Sequence, residues 1–191
     1  KTRRYPKPVG GIGMGKTGSE VARLVKSFDM KVLAWDLRRK EAQNVDQVYG
    51  AENGDNLNEL LAQCDYVVLS LELNDQTFHI IDAAQLAAMK KTAFLVNMGR
   101  GGLVNEPAMI EALKNGGIAG AGLDTFETEP LPSESPLWNL PNVIITPHIT
   151  PQLPDKEERM LDYVYQNIKA YRENGTFVNR VTLRNMLTPQ K

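Results

Sequence analysis

With 191 residues, 42% of them hydrophobic and 24% charged, the chain is long enough to bury one α/β core and has the composition of an ordinary globular protein. A net charge of −1 excludes a cationic footprint for nucleic acid or anionic membrane, and no apolar run approaches the ~20 residues of a membrane span. A lone cysteine, Cys64, excludes an internal disulfide. In Leu61-Ala62-Gln63-Cys64-Asp65, with no base nearby in the pattern, it reads as a buried structural thiol rather than a nucleophile, and nothing points to an oxidising compartment.

The first residues, Lys1-Thr2-Arg3-Arg4-Tyr5-Pro6-Lys7-Pro8, are basic but lack the apolar core of a signal peptide. They also lack an initiator methionine, so an excised or processed chain is expected. Strands and helices then alternate, which predicts parallel βαβ units. Pro8–Ile12 is a short, glycine-weakened strand. Lys16–Phe28 is a helix with Val21, Leu24, Val25 and Phe28 as its apolar face. Lys31–Asp36 is a strand ending in a carboxylate. Leu57–Cys64 reads as a short helix and Tyr66–Leu71 as a buried strand. Ala83–Met89 is helical, Ala93–Asn97 a strand, and Glu106–Asn115 a helix stopped by Gly116-Gly117. Ala119–Asp124 is a small-residue strand and Val143–Thr146 the last one. Asp155–Tyr171, with Met160, Leu161, Val164 and Ile168 at helical spacing, is one long helix ended by Asn174-Gly175. An extended polar segment, Phe177–Lys191, follows. Because doubly wound sheets bind ligands at the carboxyl ends of their strands, the groups after Asp36, Leu71, Asn97, Asp124 and Thr146 converge on one edge.

Gly13-Met14-Gly15-Lys16-Thr17-Gly18 matches G-x-G-x-x-G between the first strand and helix. Gly13 permits the tight turn, Gly15 the approach of a pyrophosphate to the backbone, and Gly18 close helix–strand packing; the helix N-terminus offers oriented N–H groups. The motif alone is weak, but Asp36 stands 18 positions after Gly18, where a ribose-binding acid belongs. That carboxylate accepts from ribose hydroxyls and repels a 2′-phosphate, so NAD is expected over NADP. Arg38 and Arg39 read as solvated charges opening a loop, able to meet that phosphate only if Asp36 turned aside. No metal site is expected.

Three further segments carry chemistry: Asn97-Met98-Gly99-Arg100-Gly101-Gly102-Leu103-Val104-Asn105-Glu106, Asp124-Thr125-Phe126-Glu127-Thr128-Glu129-Pro130 and Thr146-Pro147-His148. A cation, a carboxylate and an imidazole are the groups needed to hold an α-keto acid and protonate its carbonyl oxygen. Each alone is an ordinary loop residue; the ordered set is not.

In that order, after the glycine fingerprint and Asp36, these segments resemble the D-isomer-specific 2-hydroxyacid dehydrogenases, over roughly Val9 to Asn179. The resemblance implies a Rossmann-type doubly wound parallel sheet in residues 1–150. It also implies that residues 151–191 are a helix and tail belonging to a substrate domain, most of which lies upstream in relatives and is absent here. Arg100 would grip the substrate carboxylate and carbonyl oxygen, bidentately as lysine cannot. His148 would be the acid/base, imidazole being the side chain that ordinarily titrates near 6.5. Glu129 would orient the imidazole and stabilise its protonated form. Lys16 and Thr17 would sit at the pyrophosphate and Asp36 at the adenosine ribose. Leu71, Glu72 and Thr77 would line the adenine side, and Met98, Gly99, Arg100 and Asp124 would approach the nicotinamide end. The other histidine, His79, is expected on a helix two residues after Thr77, half-buried or solvated rather than catalytic.

The chain departs from the family pattern in two further places. Ser70-Leu71-Glu72-Leu73-Asn74-Asp75 stands where relatives have His-Leu-Pro-Leu-Thr-Pro, and Ile149-Thr150-Pro151 where they have a small residue and glycine. The resemblance implies an NAD-dependent, cytoplasmic oxidoreductase of small 2-keto and 2-hydroxy acids, dimeric through the cofactor domain. With the upstream half missing, the chain alone is expected to be inactive. The alternative from another class is an NAD-sensing corepressor-like binding module, which can keep the same trio. An S-adenosylmethionine methyltransferase shares the glycine loop and acid but has no use for the Arg100, Glu129 and His148 segments.

Overall fold

A computed structural model describes residues 7–50, 52, 54–150, 152–178 and 180. Seven strands form one parallel sheet: β1 Val9–Ile12, β2 Val32–Trp35, β3 Gln47–Tyr49, β4 Tyr66–Leu69, β5 Phe94–Asn97, β6 Gly120–Leu123 and β7 Val143–Ile145. Their order is β3-β2-β1-β4-β5-β6-β7. All residues of β1 and β2 are buried, as expected where helices cover both faces of a parallel sheet. Leu33, Leu69 and Leu95 lose all solvent contact. Each such side chain contributes roughly 1.5–3 kcal/mol, so the sheet core outweighs any single helix cap at about 1 kcal/mol.

Among the described residues five α-helices connect the strands or follow them: α1 Lys16–Lys26, α2 Leu57–Leu61, α3 Ala83–Ala88, α4 Glu106–Lys114 and α5 Lys156–Asn174. Asn56 caps α2, an Asp82/Gln85 capping box opens α3, and Asn105 caps α4 through the Ala108 N–H. Cys64 is completely buried, its thiol donating to Leu60 O at 3.2 Å, and burial pushes the thiol pKa up to about 12. It is the structural thiol its surroundings in the sequence suggested.

Three expectations are corrected. The edge strand β3 has no counterpart in the sequence reading: three residues of which only Tyr49 is buried carry too little periodicity to be seen. The inner face of α1 is Gly18 and Ala22, flanked by half-buried Val21 and Val25, whereas Leu24 and Phe28 are 48% and 74% exposed. The small residues let the helix axis approach the sheet, and Phe28 lies beyond the helix end. His79 lies on no helix: it is a turn residue in the left-handed region, φ 50°, its N–H donating to Gly102 O.

The long helix α5 ends at Gly175, whose φ of 69° suits a residue without Cβ. No residue of α5 is buried, and Met160, Leu161, Val164 and Ile168 are all at least half exposed. It reaches the sheet domain through Tyr163, whose hydroxyl accepts from Lys16 Nζ at 2.9 Å. Among the described residues no helix is long and apolar enough to cross a membrane.

Candidate active site

The chain order of the sheet reverses between β1 and β4, and the fingerprint sits in the crevice beyond their carboxyl ends. Gly13 turns there with φ 94°. A Cβ on Gly18 would stand 2.0 Å from Gly13 O, so only glycine lets α1 start this close to β1. A Cβ on Gly15 would meet nothing within 4 Å: that glycine faces open space. Gly15 is also the N-cap of α1, with no side-chain cap bond and no acid in the first turn. The helix N–H groups and the exposed Thr17 thus face outward, while Lys16, also exposed, donates its Nζ to the Tyr163 hydroxyl.

Asp36 Oδ2 accepts from Met14 N at 2.8 Å, and Oδ1 accepts from Arg38 N at 2.8 Å and Arg39 N at 2.9 Å. The carboxylate is therefore fixed at the rim and does not turn aside. A cleft of about 330 Å³ opens beside it, lined by Gly13, Gly15, Asp36, Leu71, Glu72 and Thr77 among others. The loop that lacks the relatives' prolines is held another way. Thr77, 2% exposed, donates its hydroxyl to Glu72 O at 2.6 Å, and Asn74 Oδ1 accepts from Gln76 N and Thr77 N.

The second half of the site rests on β5, β6 and β7. Asn97, buried at the end of β5, accepts from Gly99 N and donates to Arg100 O, which shapes the loop that presents the exposed Arg100. Arg100 Nη1 donates to Gly99 O at 2.7 Å. Met98 is half-buried and Gly99 buried in the same turn. Glu129 Oε2 and His148 Nδ1 lie 2.8 Å apart, and Glu129 Oε1 accepts from Phe126 N at 3.0 Å. Side-chain exposure is 36% for Glu129 and 37% for His148. With Nδ1 engaged, Nε2 is the imidazole nitrogen left to face a substrate. His148 adopts φ 54°, sparsely populated for a residue other than glycine, so the surrounding loop imposes its position.

That loop is held by Asp124. Its Oδ1 accepts from Thr146 Oγ1 and Ile149 N, and its Oδ2 from Thr150 N and Thr150 Oγ1, over 2.5–3.0 Å. Burial by itself would raise this carboxyl, but the two hydroxyls and two N–H groups outweigh it and hold the pKa at about 2. A carboxylate depressed in the folded state stabilises above its unfolded pKa, and the stabilisation is lost as pH falls through the folded one. Asp124 therefore contributes about 2 kcal/mol near neutral pH that disappears between about pH 4 and pH 2. Asp124→Asn, which turns an amide donor toward other donors, should lower urea-unfolding stability near neutral pH by roughly 1–3 kcal/mol. The gap to the parent should shrink at low pH; an equal gap at both ends of the window would show that Asp124 is not the group responsible.

Nothing in the sequence pointed to the partner of His79. His79 Nε2 lies 2.7 Å from Glu127 Oε1, which also accepts from Glu106 N, while Glu106 Oε2 accepts from Glu127 N. Burial, with the Glu127 charge adding and the Glu127 N–H opposing, raises the Glu106 pKa above the ordinary carboxylate value. The pair spans 48 residues, so no local pattern reveals it.

A parallel sheet in this order, with an uncapped glycine cradle at its switch point, defines a Rossmann-type dinucleotide-binding domain. Residues 1–150 match the model of the D-isomer specific 2-hydroxyacid dehydrogenase NAD binding domain, and the chain belongs to that family. It is 41% identical over 168 residues to a glyoxylate reductase of Korarchaeum cryptofilum, covering 88% of this chain and 50% of that protein. The structure of a D-isomer specific 2-hydroxyacid dehydrogenase from Xanthobacter autotrophicus Py2, in complex with NADPH and MES, superposes with a TM-score of 0.84 at 33% identity, covering 93% of this chain and 72% of that one. An NADPH-dependent glyoxylate/hydroxypyruvate reductase from Sinorhizobium meliloti, in complex with NADP and sulfate, gives 0.84 at 30% identity, with 95% and 56% covered. The chain spans about half the length of the curated relatives it matches.

Proposed function

We propose that the chain forms the cofactor half of an NAD-dependent oxidoreductase that interconverts small 2-keto acids and D-2-hydroxy acids. The observation that carries this reading is the Glu129–His148 pair with Nε2 left outward, on the strand edge that also presents Arg100. Arg100 binds the substrate carboxylate and the carbonyl oxygen. His148 gives its Nε2 proton to that oxygen during reduction and takes the hydroxyl proton back during oxidation. Glu129 keeps Nδ1 engaged, which sets the ring orientation and stabilises the imidazolium. A bound nicotinamide dinucleotide supplies or accepts the hydride at C2.

The cradle fits such a dinucleotide, since the open face of Gly15 leaves room where any Cβ would intrude. Gly13, Gly15, Lys16, Thr17 and Gly18 would hold the pyrophosphate, Asp36 the ribose, and Leu71, Glu72 and Thr77 the adenine side. Met98, Gly99 and Asp124 would stand at the nicotinamide end, Asp124 chiefly by holding the His148 loop. NAD is favoured because Asp36 is anchored at the rim by three backbone N–H groups, and a 2′-phosphate there meets a fixed negative charge. Residues 1–150 make up this domain, and residues 151–191 belong to a substrate domain; the exposed apolar stripe of α5 supports the second assignment. A homodimer through the cofactor domain and a reducing, cytoplasmic setting complete the reading, the latter supported by the buried free thiol.

The exposure of Glu129, His148 and Arg100 leaves water free to enter, so this chain by itself is inactive. The test is a panel of glyoxylate, hydroxypyruvate and pyruvate, with NADH and with NADPH. It is run on this chain and on a chain of the relatives' full length that carries it. The longer form should turn over at least one acid, roughly tenfold or more faster with NADH, and the 191-residue chain none. No turnover by the longer form would sink the dehydrogenase reading. A preference for NADPH would sink the role given to Asp36, and turnover by the short chain the inactivity.

A further inference from the structure

Besides His148 the chain has one histidine, His79, and its geometry repeats that of His148: left-handed backbone, φ 50° against 54°, with a ring nitrogen against a glutamate. The two glutamates, Glu127 and Glu129, belong to one short segment. We propose that His79 is a positioning residue that sets the Glu129–His148 pair and the Arg100 loop by clamping that segment; the proposal rests on the catalytic reading above.

Three loops meet at His79. Its own segment runs beside the one after Arg100: His79 N donates to Gly102 O at 2.8 Å, Ile81 N to Leu103 O at 3.1 Å, and Asn105 N to Ile81 O at 2.9 Å. Its imidazole stacks on Phe78 with ring centroids 3.9 Å apart, which fixes the ring plane. From there Nε2 reaches Glu127 across the interface, with both side chains three-quarters or more out of solvent. On the far side the Phe126 N–H donates to Glu129 Oε1, and Glu129 Oε2 holds His148. Gly101 packs directly on the Phe126–Glu127 peptide, so moving that peptide moves the Arg100 loop as well. The clamp is a half-buried charge-assisted hydrogen bond, stronger than an exposed ion pair. A second carboxylate, Glu106, stands beside it and would repel Glu127 once His79 no longer engaged it.

Two substitutions separate the hydrogen bond from packing. His79→Phe keeps a ring on Phe78 but has no nitrogen; His79→Gln can still donate to Glu127. In nuclear magnetic resonance spectra of the labelled chain, the Phe126 amide and His148 imidazole signals should shift in His79→Phe and return toward the parent in His79→Gln. In a form that turns over, His79→Phe should lower kcat roughly ten- to a hundredfold with the KM for cofactor unchanged, and His79→Gln should recover most of it. Should His79→Phe fail to fold, His79→Asn, which tolerates left-handed backbone but is too short to reach Glu127, is read in the same way. Signals at Phe126 and His148 that match the parent in these folded variants would overturn the proposal. So would His79→Gln being more impaired than His79→Phe, which keeps the ring on Phe78, since the role would then be packing alone. Absence of turnover in the parent counts against the catalytic reading, and the resonance shifts still decide the clamp.

Discussion

Replacing His148 with asparagine is expected to lower turnover by roughly 10²–10⁴-fold while leaving cofactor affinity within about twofold. The first number is what a positioned general acid/base is worth; the second follows from the cradle, which is built from the β1–α1 turn and owes nothing to His148. Asparagine is the better substitution because His148 sits at φ 54°. Alanine there adds a strain of roughly 1–2 kcal/mol that would confuse loss of chemistry with loss of fold. Glu129→Gln keeps an acceptor for the Phe126 N–H but removes the charge beside the imidazole, so its loss should be smaller than that of His148→Asn. Steady-state rates on the full-length form and cofactor titration by nucleotide fluorescence separate the two quantities. A His148→Asn enzyme with more than a tenth of the parental rate would remove His148 from the acid/base role.

Gly101→Ala should cost roughly 3 kcal/mol or more of stability, at or beyond the upper end of ordinary overpacking. The added Cβ would fall 1.9 Å from both C and O of Phe126 and 2.3 Å from Glu127 N. Those are backbone atoms that cannot swing away, and the peptide they belong to is tied on one side to Glu129 and on the other to His79 and Glu106. Relief therefore requires parting the Arg100 loop from the Glu129 segment, so activity should fall with stability. Gly122→Ala is the matched control, since its Cβ would lie 3.9–4.0 Å from Val96 in ordinary contact. Urea unfolding followed by the fluorescence of Trp35 and Trp138 gives both values. Equal midpoints for the two variants would show that the Gly101 contact yields without cost.

The parts legible in the sequence were those whose physics is local or periodic. β2, β4, β5 and β7 announced themselves as apolar runs, β1 and β6 as short glycine-bearing strands alternating with helices, and α4 as a helix stopped by Gly116-Gly117. The fingerprint placed its own turn, because G-x-G-x-x-G describes one chain reversal and one helix start. The edge strand β3 was silent, since three residues of which only Tyr49 is buried have no pattern of their own and take strand geometry from pairing with β2. The α1 face was misread because Gly18 and Ala22 register as weakly hydrophobic; what buries them is the close approach that glycine allows at Gly13 O.

By itself the sequence determined the family and the fingerprint turn, and it singled out Arg100, Glu129 and His148 for the proposed chemistry, because each lies in a short ordered segment whose residue types limit what it can do. The tertiary structure alone decided what holds them. Asp124 engages a loop 22–26 residues away, Asp36 closes on Met14 across 22, and His79 meets Glu127 across 48. These are hydrogen bonds between distant segments brought together by strand order, and strand order follows from burying both faces of one sheet rather than from any local run of residues.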